Sequence, residues 1–365
     1  MRIGLDINPL VTGHRFRGIG TYVKNLLQGL LYSGSEHSFL LFTSTGEISL
    51  PEQTTHRTIG PGGFFRAVWE NNIDILHITD FYHPAYNLSD LLEIKRHGVK
   101  LVISVADAIP LRFPEHYPNE KLFMEKNLTP LIPLVDRVIT ISRESAEDLI
   151  KFFSLPPESV SVTHLGVDFT HFSPTPTPSD NENLQKYGIS HPYFLYVGGL
   201  DWRKNCETIL RAFNSFMKEN SMHYQMVLVG NDPLTPYLKS LVQDWPQKMV
   251  QTGFVPASDL PSLYRRATAF LFPSRCEGFG LPILEAMACG TPVLSSNRGS
   301  LPEILGDGGI LIDPDQIEAW KIHMSSLSMN PTLAEDLRIK GLNRCLYFSW
   351  EKCARATLEV YLSCL

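Results

Sequence analysis

Short apolar runs alternate along this chain with longer stretches of mixed polarity. The runs RIGLDI (2–7) and ATAFLFP (267–273) are two of the predicted strands. The stretches between strands have helical spacing, as in SRESAEDLIKFF (142–153), where Ser142 is a predicted N-cap. Apolar strands that alternate with helices are typical of a parallel sheet covered on both faces. The pattern therefore predicts an α/β protein built from doubly wound parallel sheets.

The composition changes near the middle of the chain, which indicates two domains. Residues 171–188 (HFSPTPTPSDNENLQKYG) have few large apolar side chains and many Pro, Ser and Thr, which predicts an exposed linker or hinge. The strand–helix alternation restarts afterwards, so we expect domains at residues 1–170 and 189–348. Residues 349–365 form a predicted amphipathic helix, and the pattern leaves open whether it packs on its own domain or crosses to the other.

Net charge, cysteines and the N-terminal residues narrow the range of functions. The 365-residue chain has a formal net charge of -6, which argues against a general nucleic-acid binder. Its 6 cysteines lack C-x-x-C spacing, so we expect free thiols in a reducing compartment. The N-terminus lacks the long apolar core of a signal peptide, and no apolar run is long enough for a spanning helix. We therefore expect a cytoplasmic protein, with contact at a membrane surface left open.

The segment CEGFGLPILEAMACG (276–290) places two carboxylates in apolar surroundings. It follows a predicted strand, and ligands of open α/β sheets bind at the carboxyl ends of the strands. The backbone N–H groups of residues 278–280 precede a predicted helix, which favours anion binding. Glu277 and Glu285 lie near this turn and can accept hydrogen bonds from sugar or ribose hydroxyls. Taken singly, Glu277 is equally compatible with a solvated loop residue and Glu285 with a structural acceptor.

Two further loops follow predicted strands and carry cations or glycines. In VGGLDWRKNCETILRAF, Arg203 and Lys204 lie just before a helix and could neutralise a diphosphate leaving group. Two solvated cations are the alternative. In GHRFRGIGTYVKNLL, Gly18 and Gly20 could bring the backbone close to a phosphate or to a second substrate, although the spacing is not G-x-G-x-x-G. A flexible loop is the alternative.

Isolated acidic residues supply the remaining candidates. Asp107 follows a strand in SVADAIPLRFPEHYP, where it could position or deprotonate an acceptor hydroxyl, or cap a local turn. Glu303 follows Pro302 at a predicted helix start, where it could contact a nucleotide or favour the helix dipole. The histidines are scattered, and no H-E-x-x-H, G-x-S-x-G or Walker A string occurs. We therefore expect no metal site.

At this point the motifs resemble a known family. CEGFGLPILEAMACGTPVLSSNRGSLPEI resembles the E-x7-E signature of retaining glycosyltransferases with the GT-B fold, in the large family 4 (group 1). YVGGLDWRKNCETILRAF and RGIGTYVKNLL resemble the matching segments, so the resemblance covers essentially the whole chain. It implies two Rossmann-like domains that face each other across a cleft. It also implies transfer of a sugar from a nucleotide donor, with retention at the anomeric carbon and without a bound metal or other cofactor.

The resemblance implies a role for each matching residue. Glu277 would contact the hydroxyls of the donor sugar, and Glu285 would hold the ribose. Arg203 and Lys204 would bind the diphosphate, and Asp107 could take over part of the role of a histidine that many members have just before it. Backbone groups along the donor are expected at Gly278, Phe279, Gly280, Leu281 and Gly199, and from the other domain at Gly18 and Gly20.

Two departures from the family pattern affect the substrate prediction. Gly198-Gly199 stands where many members have Gly-Arg, and Arg203 could supply that cation. Ala106 stands where many members have a His before the Asp, which puts the acceptor side and the donor sugar in doubt. GDP-mannose is the first expected donor and a UDP-sugar the second, with a glycan or lipid-linked glycan as acceptor. A sugar-nucleotide 2-epimerase of the same fold and a non-catalytic two-lobed sugar-binding protein are the alternatives.

Overall fold

A computed structural model describes residues 1–365 apart from 17, 44–54, 59–63, 82–85, 191, 220–222 and 246–247. The chain divides into two compact units. The first unit contains Met1–Gly166 together with Trp350–Leu365, and the second unit contains Val167–Ser349. Each is described separately below.

The first unit contains a parallel sheet of seven strands within the described residues. They are β1 (Arg2–Asp6), β2 (Ser38–Thr43), β3 (Thr55–Thr58), β4 (Ile75–Ile78), β5 (Lys100–Ser104), β6 (Arg137–Thr140) and β7 (Val160–Val162), in the order β3-β2-β1-β4-β5-β6-β7. The helices are α1 (Gly18–Ser33), α2 (Phe64–Glu70), α3 (Leu88–Arg96), α4 (Ile109–Arg112), α5 (Pro118–Leu131) and α6 (Arg143–Phe153). As predicted, Ser142 caps α6 by accepting a hydrogen bond from the Ser145 backbone N–H at 3.1 Å.

The second unit repeats this architecture with six parallel strands among its described residues. They are β8 (Tyr193–Val197), β9 (Gln225–Val229), β10 (Met249–Gly253), β11 (Ala269–Phe272), β12 (Val293–Ser296) and β13 (Ile310–Ile312), in the order β10-β9-β8-β11-β12-β13. Its helices are α7 (Ser179–Lys186), α8 (Cys206–Glu219), α9 (Pro236–Val242), α10 (Leu260–Arg266), α11 (Leu281–Ala288), α12 (Leu301–Leu305), α13 (Ile317–Met329) and α14 (Pro331–Cys345). The last helix of the chain, α15 (Trp350–Ser363), belongs to the first unit.

Both sheets have a point at which the strand order reverses. This switch point lies between β1 and β4 in the first unit and between β8 and β11 in the second. The strands around it are buried along nearly their whole length, which explains their continuous apolar sequences. Loops that leave the carboxyl ends of strands at a switch point diverge and leave a crevice for ligands.

The C-terminal helix α15 packs on α1. The two helices approach closely at Gly29, where a Cβ atom would lie 2.7 Å from that of Ala354. The Tyr361 hydroxyl lies 2.6 Å from Nδ1 of the buried His77 in β4, and His77 Nε2 lies 2.8 Å from the Ser104 hydroxyl in β5. Burial lowers the pKa of His77 to about 3, so the imidazole is neutral. A buried hydrogen-bonded chain thus fixes α15 to the first sheet.

Most of residues 171–188 are exposed, but the segment is partly helical. They lie in the second unit and include α7. Asp180 of α7 has a side chain only 4% exposed, and both its carboxylate oxygens accept hydrogen bonds from the Arg265 guanidinium of α10. Asn183 also donates to the Ser262 hydroxyl at 3.0 Å. These polar contacts help to attach the helix to its unit, and composition alone does not indicate them.

Candidate active site

A short helical turn after β8 carries the two predicted cations. The turn comprises Trp202–Lys204 and ends at Asn205, which has a left-handed backbone with φ of 52°. The Asn205 amide donates to the carbonyl oxygens of Pro273, after β11, at 3.1 Å and of Pro314, after β13, at 2.9 Å. Its side-chain oxygen accepts from the Thr208 hydroxyl at 3.1 Å. Asn205 therefore ties the cation-bearing turn to two neighbouring loops at the carboxyl edge of the sheet.

Both cations contact Glu277, which follows β11. The Lys204 ammonium donates to Oε1 of Glu277 at 2.7 Å, and the Arg203 guanidinium donates to Oε2. The Glu277 side chain is 9% exposed. Burial alone would raise its pKa, but the attraction of Lys204 and Arg203 outweighs burial and lowers the pKa. Glu277 is therefore ionised at neutral pH, and the three side chains together carry net positive charge.

The loop from Glu277 to α11 is held in one conformation by Ser300. The Ser300 hydroxyl lies 2.8 Å from the carbonyl oxygen of Glu277 and 2.9 Å from that of Phe279. Gly280 has φ of +115°, a left-handed conformation that favours glycine. The helix begins at Leu281, so the backbone N–H groups of Gly278–Leu281 lie at the N-terminal end of a helix that follows the switch-point strand β11.

Glu285 lies in α11 in a different environment from Glu277. It is half-buried, and the Tyr264 hydroxyl of α10 donates to its Oε2 at 3.0 Å. Burial raises the pKa of Glu285 to about 7, because a single phenol compensates less than two cations do. At neutral pH this carboxyl group is close to half-protonated, so its capacity to accept hydrogen bonds depends on pH.

Gly199 has a local packing role at the end of β8. A Cβ atom there would lie 2.8 Å from Oδ2 of Asp232, which accepts a hydrogen bond from the Leu200 backbone N–H at 2.8 Å. A larger residue would displace this carboxylate. The glycine thus lets the loop after β9 close on the loop after β8.

The predicted residues Gly18, Gly20 and Asp107 belong to the first unit. A Cβ atom on Gly20 would lie 2.6 Å from the carbonyl oxygen of His14, so close packing of the preceding turn requires this glycine. Among the atoms of the described residues, none lies within 4 Å of a Cβ built on Gly18. The Asp107 carboxylate accepts from the Ile109 backbone N–H at 3.1 Å, which is the turn-capping arrangement that the sequence left open.

Several side chains at these sites carry no signal in the sequence. Tyr264 and Ser300 act on Glu285 and on the Glu277 loop only because the fold brings distant segments together. Among the described residues, no group of three or more His, Cys, Asp or Glu side chains is arranged to hold a metal ion. Within the same residues, no helix combines the length and apolar character needed to cross a membrane.

Two family models match the chain in succession. The model for Glycosyltransferase Family 4 matches residues 16–171, and the model for Glycosyl transferases group 1 matches residues 179–344. O-antigen chain mannosyltransferase B of Escherichia coli is 29% identical over 367 residues, which cover 94% of this chain and 95% of that protein. The serotype-specific mannosyltransferase WbdA of Escherichia coli is 28% identical over 302 residues, which cover 78% of this chain but 36% of WbdA.

A solved structure agrees with these matches. The crystal structure of Anabaena Alr3699/HepE in complex with UDP and glucose superposes with a TM-score of 0.74 at 17% identity, over 99% of each chain. The likeness at this identity concerns the fold, and it confirms the predicted fold class. The chain belongs to the group 1, family 4 glycosyltransferases and has their two-domain α/β GT-B fold.

Proposed function

We propose that this glycosyltransferase is a retaining, metal-independent mannosyltransferase that uses GDP-mannose, with a UDP-sugar as the second candidate donor. The observation that carries the proposal is the ionised Glu277, held between Arg203 and Lys204 at the switch point of the second sheet. The mannosyl assignment is supported by the names of the two Escherichia coli relatives. Because Alr3699/HepE was solved in complex with UDP and glucose, a UDP-sugar is retained as the alternative donor.

In this proposal the donor lies along the loop from Glu277 to α11. Glu277 accepts hydrogen bonds from sugar hydroxyls, and Glu285 accepts them from the ribose. The diphosphate is an anion, so it is attracted by the net positive charge of the Arg203, Lys204 and Glu277 group and by the amides of Gly278–Leu281.

The proposed reaction needs no nucleophile from the protein. An acceptor hydroxyl attacks the anomeric carbon from the face that the diphosphate leaves, and a leaving phosphate oxygen takes the acceptor proton. Arg203 and Lys204 stabilise the charge that develops on the diphosphate. Asp107 contacts the acceptor. The acceptor is a glycan or a lipid-linked glycan, and a lipid-linked one would bring this cytoplasmic enzyme to a membrane surface.

The test is product formation with a panel of donors and mannose-containing acceptors. We expect mannosyl transfer from GDP-mannose, with a product whose anomeric configuration by proton NMR matches that of the donor. An inverted product would refute the retaining mechanism. Formation of an epimeric sugar nucleotide without acceptor would favour the epimerase alternative, and donor binding without turnover would favour a binding protein.

A further inference from the structure

Arg275 lies in the loop after β11, two residues before Glu277, and bonds to the turn that carries Arg203 and Lys204. Its backbone N–H donates to the carbonyl oxygen of Arg203 at 2.7 Å. Its side-chain Nη1 donates to the carbonyl oxygen of Trp202 at 3.1 Å. The guanidinium also lies over the Trp202 ring, 5.4 Å from the centroid. Arg275 therefore holds the turn through its backbone and through its side chain.

The turn makes a matching contact to the segment that carries Glu277. The Arg203 guanidinium donates to the carbonyl oxygen of Cys276 at 3.3 Å and also bonds to the Glu277 carboxylate. An arginine on each segment thus reaches a backbone carbonyl of the other segment. Carbonyl oxygens are uncharged acceptors. These contacts therefore join the two segments without cancelling the positive charge of the site.

The two cations need such support because they lie close together on a short turn. Arg203 and Lys204 both bond to the carboxylate of Glu277, and like charges at this separation repel each other. The turn Trp202–Lys204 has 3 residues, and a short helical turn of this kind makes few hydrogen bonds of its own. The contacts from Arg275 fix its position from outside.

The Arg275 side chain is anchored by Asp315, which follows β13. Its Nη2 donates to Oδ1 of Asp315 at 3.3 Å, and the side chain is 25% exposed. Stacking on an aromatic ring while two nitrogens bond to separate acceptors requires the planar guanidinium, and a lysine ammonium cannot reproduce it. The contacts at this position therefore select an arginine, and a positive charge alone would not make them.

We propose that Arg275 is a positioning residue for the donor diphosphate, because it holds Arg203 and Lys204 at the carboxyl edge of the second sheet. The proposal rests on the function proposed above, in which those two cations stabilise the leaving group. Arg275 acts through the turn, so its effect depends on geometry and not on added charge. Displacement of a positioned group by about 1 Å can slow a reaction about a hundred-fold.

The test compares Arg275→Lys with Arg298→Lys in the full chain. Arg298 is the matched control, because it also pairs with Asp315, at 2.9 Å, and its other partner is Asp313. We expect Arg275→Lys to raise the Kd of GDP or UDP about ten-fold in isothermal titration calorimetry and to lower kcat at least about ten-fold. Arg298→Lys should stay within about two-fold of the wild type in both quantities.

Two further substitutions separate geometry from charge. Arg275→Gln removes the charge, and we expect it to lose no more affinity than Arg275→Lys does. Wild-type affinity in Arg275→Lys with a loss confined to Arg275→Gln would overturn the proposal, because Arg275 would then contact the diphosphate as a charge. Trp202→Leu removes the stacked ring and should raise the Kd in the same direction, while Trp202→Phe should restore it. Thermal melting checks the fold of each variant.

Hydrogen exchange of the turn distinguishes this proposal from the proposed function. The backbone N–H groups of residues 203–205 donate to acceptors in residues 201–202. Without nucleotide, Arg275→Lys should speed the exchange of these N–H groups, and Arg298→Lys should not. Faster exchange in Arg275→Lys, together with a wild type that binds neither GDP nor UDP, would support the anchoring of the turn and refute the donor function. Nucleotide binding by the wild type with an unchanged Kd in Arg275→Lys would refute the positioning role alone.

Discussion

Replacement of Glu277 by Gln should separate nucleotide binding from sugar transfer. The substitution keeps the side-chain size but leaves Arg203 and Lys204 without the counter-ion that each now contacts. Loss of one partner from a buried ion pair costs about 3–5 kcal/mol. We expect about 3 kcal/mol here, because the Arg203 and Lys204 side chains are 22% and 14% exposed and keep some hydration.

The two cations of this variant are then available to a diphosphate. GDP or UDP should therefore bind Glu277→Gln at least as tightly as the wild type, while the transfer rate falls more than about ten-fold, or 1.4 kcal/mol. Isothermal titration calorimetry measures the first quantity and a discontinuous product assay the second. Glu335→Gln is the control, because Glu335 belongs to an exposed ion pair with Arg338 in the same unit.

Weaker nucleotide binding by Glu277→Gln with unchanged turnover would refute both expectations. That result would mean that Glu277 organises the diphosphate site and does not contact the sugar. A urea melt of the variant, compared with that of Glu335→Gln, tests the stability estimate separately.

Three other predictions concern polar side chains that are buried or half-buried. Because burial raises the pKa of Glu285 to about 7, the affinity for the donor should fall as the pH drops from about 8 to about 6. The donor affinity of Glu285→Gln should stay constant over the same pH range. Asp180→Asn should cost about 3 kcal/mol in urea unfolding, because it removes the charge that pairs with Arg265. Burial opposes ionisation of Asp180, but the hydrogen bonds to its carboxylate, led by those from Arg265, lower its pKa to about 2. The ion pair therefore stabilises the fold fully above the ordinary Asp pKa of 3.8, and this stabilisation is lost as the pH falls towards 2. The difference in unfolding free energy between Asp180→Asn and wild type should vanish near pH 2. Tyr361→Phe should lower the free energy of unfolding by about 1–2 kcal/mol in a urea melt, because it leaves Nδ1 of the buried His77 unpaired. The control Tyr347→Phe, at an exposed tyrosine, should unfold like the wild type.

The sequence predicted the sheets well because both faces of a parallel sheet are covered. Buried strands then read as continuous apolar runs, as in β11 and β8. β3 was not predicted, since its sequence THRT has no apolar run and it pairs with β2 at the edge of the sheet. The helix α7 was missed for a related reason: its attachment depends on the Asp180–Arg265 pair, which hydrophobic periodicity does not register.

The candidate site was predictable in its residues but not in its contacts. A motif indicates that Arg203, Lys204 and Glu277 belong to one function, yet Lys204 and Glu277 are 73 positions apart and their ion pair depends on the adjacency of β8 and β11. The different ionisation of Glu277 and Glu285 likewise depends on neighbours that the motif does not specify. The role of every predicted site residue toward substrate stays a prediction, for Arg203, Lys204 and Glu277 as much as for Glu285, Asp107 and the glycines.

The charges at the two switch points differ. In the second sheet, two cations share one carboxylate, so the net positive charge favours an anionic diphosphate. In the first sheet, burial raises the pKa of Asp6 to about 8, so this acid is mostly uncharged at neutral pH, and Asp80 is paired with His14 at 3.0 Å. Under the proposed function, the positive group after β8 and β11 therefore directs the donor diphosphate to the second sheet.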